Sequence, residues 1–171
     1  MPIRKKSIGS RTRVARRKRS KFITPDLVLS AGKLLRFVAN EDSPLTEAER
    51  LRGEYAKMED GDDAEVSQFL QRAYYVWAQF RQQPGEFERL QAHSFWKQAG
   101  LKPRDPATSK WVLYLIMQAT TTDVRRRANR YAVILDGLKQ DQVEIGAVAA
   151  RIEELGGIKA AYEAMRARTH E

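Results

Sequence analysis

Apolar positions recur at helical spacing along most of this chain. Such a repeat of three and four positions marks one face of an α-helix. The clearest apolar stripe consists of Val66, Phe69, Leu70, Ala73, Tyr74, Trp77 and Phe80. Weaker stripes of the same kind lie on both sides of it. Together they predict helices over about 25–39, 46–60, 63–83, 85–99, 124–135, 143–155 and 158–168.

Polar and proline residues mark where these helices begin and end. Thr46 and Glu49 match a capping box, in which the hydroxyl and the carboxylate each accept a bond from a backbone amide at the helix start. Asp62 or Asp63 is predicted to cap the helix with the long stripe, and Pro84 disfavours helix at residue 83. Similar start signals stand at Thr24, Thr121 and Asp141.

The run from Trp111 to Met117 is apolar at every position, so periodicity does not decide between a buried strand and a buried helix. We favour a helix, because strands are lacking elsewhere and a single strand has no partner. The predicted fold class is therefore all-α, a compact bundle of seven to eight helices in one domain over 22–171. Pro103 and Pro106 indicate a possible sub-domain boundary at 100–108.

Charge is distributed unevenly. The chain has 31 Lys and Arg against 22 Asp and Glu, a formal net charge of +9. Residues 1–21, which we call the basic arm, contain no acid and little apolar residue, so we expect the arm to be disordered. The remaining residues, 22–171, hold 21 basic and 22 acidic side chains. The basic residues of the arm are Arg4, Lys5, Lys6, Arg11, Arg13, Arg16, Arg17, Lys18, Arg19 and Lys21.

A flexible cationic arm of this kind gains affinity for nucleic acid by releasing the counterions that condense on phosphates. Arginine in particular bonds phosphate in a bidentate fork or enters narrow minor grooves, and we take DNA as the favoured partner. The arm also resembles a bipartite nuclear-import signal. We predict no membrane association, because the longest apolar run has seven residues, against the roughly 20 of a spanning helix, and the arm has no aromatic residue.

Two further segments carry basic residues. Arg125, Arg126, Arg127 and Arg130 lie on one predicted helix; three of them, Arg125, Arg126 and Arg130, are candidates for auxiliary phosphate contacts, and a solvated helix face is the alternative. The two last helices, joined at Gly156 and Gly157, have the outline of a helix-turn-helix. That interpretation would expose Lys159, Glu163 and Arg166 to a major groove, whereas a packing hairpin gives the same pattern.

Catalytic signals are absent from the sequence. There is no cysteine, and the two histidines, His93 and His170, are not at a metal-ligand spacing. A calcium loop beginning at Asp60 would need glycine at position 65 and glutamate at 71, where the chain has Glu65 and Gln71. We therefore predict no catalytic residue, no metal, no cofactor and no enzymatic activity. Most aromatic residues follow the helical stripes and belong to the predicted core, with Tyr75 the most exposed.

One stretch carries a resemblance. The residues 128–135, ANRYAVIL, followed by 152–158, IEELGGI, and Tyr162 resemble the end of small uncharacterised bacterial proteins carried on plasmids or other mobile elements. The resemblance covers about 40 of the 171 residues. It implies a bacterial, mobile-element context and no catalytic residue.

These observations predict a non-enzymatic nucleic-acid-binding protein, with DNA as the favoured partner, that acts as an accessory or regulatory factor. It would be cytoplasmic and nucleoid-associated in a bacterium, or nuclear in a eukaryote. One alternative is a protein-interaction module, an inhibitor or assembly factor that docks through its aromatic-rich helices, either with a protein partner or as a homodimer. Another is an RNA- or ribosome-binding protein, which composition does not separate from a DNA-binding one.

Overall fold

In a computed structural model, helices account for 74% of the residues that the structure describes, which are 43–58, 61–83 and 85–168. Those residues contain eight α-helices, one short 3-10 helix and no strand. The prediction of an all-α bundle is confirmed. The α-helices are α1 (Pro44–Tyr55), α2 (Asp63–Gln82), α3 (Glu86–Ala92), α4 (Phe95–Ala99), α5 (Lys110–Ile116), α6 (Thr122–Gln140), α7 (Val148–Glu154) and α8 (Ile158–Arg168), and the 3-10 helix is Ile145–Ala147.

Helix α2 forms because its apolar stripe and its two ends agree. The side chain of Asp62 accepts a hydrogen bond from the Glu65 amide, as predicted for the cap. At the other end Gln83 is extended, directly before the proline. The whole stripe is buried, and each large apolar side chain removed from water stabilises the fold by about 1.5–3 kcal/mol.

The bundle is organised around α2, which packs against α1 and α7. Helix α5 lies against α1 and α6, and α6 packs in turn against α8. Helix α5 is buried on nearly every side, which confirms the helical interpretation of the apolar run that begins at Trp111. The connection 100–108 is bonded to this core, since Trp77 Nε1 donates to the Pro106 carbonyl at 3.1 Å and Gln91 Nε2 to the Pro103 carbonyl at 3.0 Å.

Two predicted helix starts are wrong. Helix α1 begins at Pro44, after Ser43, and no side chain caps it, so Thr46 lies inside the helix. The Glu49 carboxylate contacts the His93 ring at 3.2 Å instead of a backbone amide. Asp141 does not begin a helix either. It follows the last residue of α6, and its carboxylate pairs with Arg168 at 2.6 Å.

The predicted helix over 85–99 is two helices, α3 and α4, separated by His93 and Ser94. At His93 the backbone is extended, with ψ 137°. Its ring Nδ1 then accepts a hydrogen bond from the Phe95 amide at 3.1 Å, which satisfies a donor at the start of α4. The apolar pattern continues through this break because both short helices bury residues in the same core.

Two aspartates each accept a hydrogen bond from a backbone amide at the start of a different helix. Asp63, in the first turn of α2, accepts a bond from the Ile158 amide at the start of α8 at 3.3 Å. Gly157 stands beside it with φ +90°, and a Cβ there would collide with the Asp63 carboxylate, so glycine is required. Asp136 of α6 accepts bonds from the Thr108 hydroxyl and the Ser109 amide, both at 2.8 Å, before α5. These bonds fix where α5 and α8 begin.

Two structural predictions fall outside the described residues. They are the disordered arm over 1–21 and the helix over 25–39. Asp60 and His170 also lie outside the described residues.

Candidate nucleic-acid interface

All ten basic residues of the arm lie outside the residues that the structure describes. The structure therefore places none of Arg4, Lys5, Lys6, Arg11, Arg13, Arg16, Arg17, Lys18, Arg19 and Lys21. The candidate residues that it does place, Arg125, Arg126 and Arg130, belong to α6.

Helix α6 begins where the sequence predicts, because the Thr121 side chain accepts from the Val124 amide. Its buried face includes Ala128, Tyr131 and Leu135, so the register of the helix is fixed by the core. This register turns Arg126 and Arg130 outward, and both are exposed.

Arg126 has an ion-pair partner within its own helix. Its guanidinium lies 3.8 Å from the Asp123 carboxylate, and the two side chains are 78% and 93% exposed. Ion pairs that are this exposed contribute little, because water screens them and both side chains lose entropy. Arg126 therefore remains available to a stronger anion.

Arg125 points elsewhere. Its Nε donates to the Ala119 carbonyl at 2.9 Å and its Nη2 to the Ala99 carbonyl at 2.7 Å. Half-buried between the end of α4 and the turn that precedes α6, the side chain joins these two segments. Since neighbouring carbonyls already hold the guanidinium, its environment differs from that of the adjacent Arg126.

Arg130 contacts an aromatic ring on another helix. Its guanidinium carbon lies 5.5 Å from the centre of the Tyr162 ring, on α8. Tyr162 is half-buried and packs against the core. Its ring is therefore held in place and forms a cation–π contact with the Arg130 guanidinium. The contact joins positions distant in sequence, and no local pattern indicates it.

Helix α8 adds two cations at this contact. Lys159 precedes Tyr162 by three positions and Arg166 follows it by four, so both lie next to the ring on the helix surface. Both side chains are exposed. We call the surface formed by Arg126, Arg130, Lys159, Tyr162 and Arg166 the α6–α8 basic patch.

Tyr131, a buried residue of α6, lies near Arg127 and Arg130. Burial raises the pKa of Tyr131, and the nearby charges of Arg127 and Arg130 act in the opposite direction. Arg127, which is also on α6, donates a hydrogen bond from its Nη1 to the Tyr55 hydroxyl at 3.5 Å.

The two last helices do not form a simple hairpin. Helix α7 packs mainly on α2, whereas α8 packs mainly on α6. Lys159, Glu163 and Arg166 are exposed, as the helix-turn-helix interpretation expects. Exposed Glu153 and Glu154 lie on α7, where they oppose the approach of phosphate to that helix.

Aromatic residues contribute mainly to the core. The stripe of α2 is buried, and Tyr75, predicted to be the most exposed aromatic, is half-buried with its hydroxyl accepting from Gln79 at 2.8 Å. Trp111 is also half-buried, and the Lys110 ammonium lies 5.2 Å from the centre of its ring. These side chains offer limited surface for stacking on bases.

Among the described residues, no group of three or more His, Asp or Glu side chains is placed to hold a metal ion. A shallow cavity of about 300 Å³ lies between α1 and α2, and its lining mixes charges with apolar residues such as Tyr55 and Phe69. None of the helices in the described part of the chain is long and apolar enough to span a bilayer.

Comparison with known proteins adds no family assignment. No protein-family model matches the chain, and no curated protein or solved structure is significantly similar to it.

Proposed function

We propose that this protein is a non-enzymatic nucleic-acid-binding factor whose basic arm supplies most of the affinity. The observation that carries the proposal is the segregation of charge. Ten cations and no acid occupy residues 1–21, whereas 22–171 hold 21 basic and 22 acidic residues. Each phosphate that a cation neutralises releases counterions, so the arm gains affinity without reading sequence.

The favoured partner is duplex DNA. Arginine forms bidentate bonds with phosphate and enters narrow minor grooves, and arginine is the commoner cation of the arm. We propose that such binding serves an accessory or regulatory role. If the source is bacterial, the protein would act in the cytoplasm or on the nucleoid.

Auxiliary phosphate contacts are proposed for Arg126 and Arg130 rather than for Arg125. The first two are exposed, and the guanidinium of the third is held by the Ala99 and Ala119 carbonyls. Moving Arg125 to a phosphate would leave those carbonyls without their donor.

The proposal is tested in the full chain by neutralising part of the arm, with Arg16, Arg17, Lys18 and Arg19 each replaced by Gln. Duplex DNA and duplex RNA of one sequence are titrated by fluorescence anisotropy at several salt concentrations. At about −0.9 per phosphate, four lost contacts should reduce the slope of log K against log salt by about 3 to 4. Affinity at about 0.1 M salt should fall by roughly 10²- to 10⁴-fold.

A control variant removes the same charge from the body, with Gln at four exposed positions, Arg81, Lys97, Lys102 and Arg104. It should change the slope far less than the arm variant. Equal slopes for the two variants would contradict the arm as the anchor. Tighter binding of the RNA duplex would contradict DNA as the favoured partner. A full chain that binds neither duplex at low salt would overturn the proposal and favour the protein-interaction alternative.

A further inference from the structure

Two separate helices contribute basic residues near the contact between Arg130 and the Tyr162 ring. Arg130 of α6 covers this ring, and Lys159 and Arg166 lie one turn before it and one turn after it on α8. Arg126, one turn before Arg130 on α6, extends the same surface. In sequence these residues belong to unrelated segments, and only the packing of α8 on α6 makes them one surface.

The cations of this surface are weakly neutralised. Within the described residues, no carboxylate lies within 4.0 Å of the charged groups of Arg130, Lys159 or Arg166, and Arg126 has only the exposed Asp123. Glu163 shares the exposed side of α8 but forms no ion pair with its neighbours in that part of the chain. The surface therefore carries a net positive charge.

The arrangement fits an extended polyanion. The four cations are exposed and spread along two helices instead of converging on one point, so each can contact a different phosphate. The ring contact orders the Arg130 side chain, and a guanidinium against a ring still presents N–H donors at its edge to phosphate oxygens.

We propose that the α6–α8 basic patch is a second phosphate-binding surface, which contacts the backbone of the nucleic acid that the basic arm holds. Lys159 and Arg166 bind phosphate together with Arg126 and Arg130. Tyr162 acts as a positioning residue that holds Arg130 over the patch. This inference rests on the proposed function, and the experiment below separates the failure of one from the failure of the other.

The first measurement compares two doubly neutralised full-length variants. Lys159→Gln with Arg166→Gln should reduce the salt slope for duplex DNA by about two, because two phosphate contacts are lost. Affinity at about 0.1 M salt should fall by roughly 10- to 100-fold. The control, Lys97→Gln with Lys102→Gln, removes the same charge from two exposed positions outside the patch. It should leave the salt slope within about half a unit of the wild-type value.

The second measurement tests the role of Tyr162. Arg130→Gln should reduce the salt slope by about one, and Tyr162→Leu, which removes the ring, should weaken binding by a smaller factor of about 2- to 5-fold. Tyr162→Phe keeps the ring and should bind like wild type. Arg81→Gln is the matched control, since Arg81 is also exposed and lies 5.2 Å from the centre of the Trp77 ring outside the patch.

The third measurement needs no variant. Lysine acetylation of the wild-type protein, followed by mass spectrometry, should show Lys159 protected when duplex DNA is bound, while Lys97 and Lys102 react as in the unbound protein. If the wild type binds duplex but Lys159 is unprotected and both double variants behave alike, the patch is overturned and the proposed function stands. If the wild type binds no duplex, both fail.

Discussion

Two sides of helix α6 carry polar side chains with opposite roles. On one side Arg125 and Asp136 bond to backbone atoms and to Thr108, and thereby hold α4 and α5 in place. On the other side Arg126 and Arg130 are exposed and meet no polar partner in the described chain closer than the 3.8 Å to Asp123.

The difference teaches that residue type does not separate a structural cation from a binding one. Arg125 and Arg126 are adjacent and chemically identical, but one has its donors satisfied by protein carbonyls and the other has them in water. Withdrawing Arg125 from its carbonyls would leave two acceptors unsatisfied, whereas Arg126 is withdrawn from its partner at little cost. Only side chains of the second kind are available to a ligand without loss of stability.

The largest change in the free energy of unfolding is expected from replacing Arg125. Arg125→Ala should lower the free energy of unfolding by about 2–4 kcal/mol, because two charge-assisted hydrogen bonds are lost and their carbonyls remain half-buried. Urea denaturation followed by circular dichroism measures this change. Arg125→Lys retains the charge and at most one of the bonds, so it should fall between Ala and wild type. A stability of Arg125→Ala equal to wild type would remove the structural side of the comparison.

An intermediate effect is expected from Tyr131, which faces the core from the same helix. Burial raises its pKa above the ordinary 10.0, so the unfolded chain releases this proton at lower pH than the folded chain. The contribution to stability is complete below pH 10.0 and is lost as pH rises through the raised pKa, by at most about 1.4 kcal/mol per pH unit.

Tyr131→Phe should therefore flatten the decline in unfolding free energy above pH 10, measured by denaturant titrations at a series of pH values. Tyr74, whose pKa is also raised by burial, keeps part of the decline in the variant. Identical pH dependence in the two proteins would show that Tyr131 does not ionise in this range.

The smallest effect on stability is expected on the outer side. Arg126→Gln with Arg130→Gln should change the free energy of unfolding by no more than about 0.5 kcal/mol, as is usual for exposed positions. The same variant should reduce the salt slope for duplex DNA by about two. A loss of stability comparable with that of Arg125→Ala would mean that the outer arginines are structural as well.

Prediction from sequence succeeded where one local signal was enough. The cap at Asp62, the end of α2 before the proline and the cap at Thr121 all follow from nearest neighbours along the chain. It failed for the capping box of Thr46 and Glu49 and at Asp141, because Glu49 contacts His93 and Asp141 pairs with Arg168. A capping pattern indicates which hydrogen bonds a side chain can form with the nearby backbone. Tertiary contacts offer other partners and decide which of these bonds are formed.

In the candidate interface, too, some features follow from the sequence and others from the tertiary structure. The arm with its ten cations was evident from composition, and the arginines of α6 from a short run of charge. That Arg125 is held by the Ala99 and Ala119 carbonyls was decided by tertiary structure. The packing of α8 on α6 likewise placed Arg130 against Tyr162, on the helix that carries Lys159 and Arg166.

The amino-acid sequence by itself determined that this protein is helical and that its positive charge is concentrated at one end, since periodicity and composition are properties of the chain. The tertiary structure decided which cations are engaged and which face water. That choice depends on the carbonyls and rings that folding brings within a few ångströms of each side chain, and those groups come from helices far apart in the sequence.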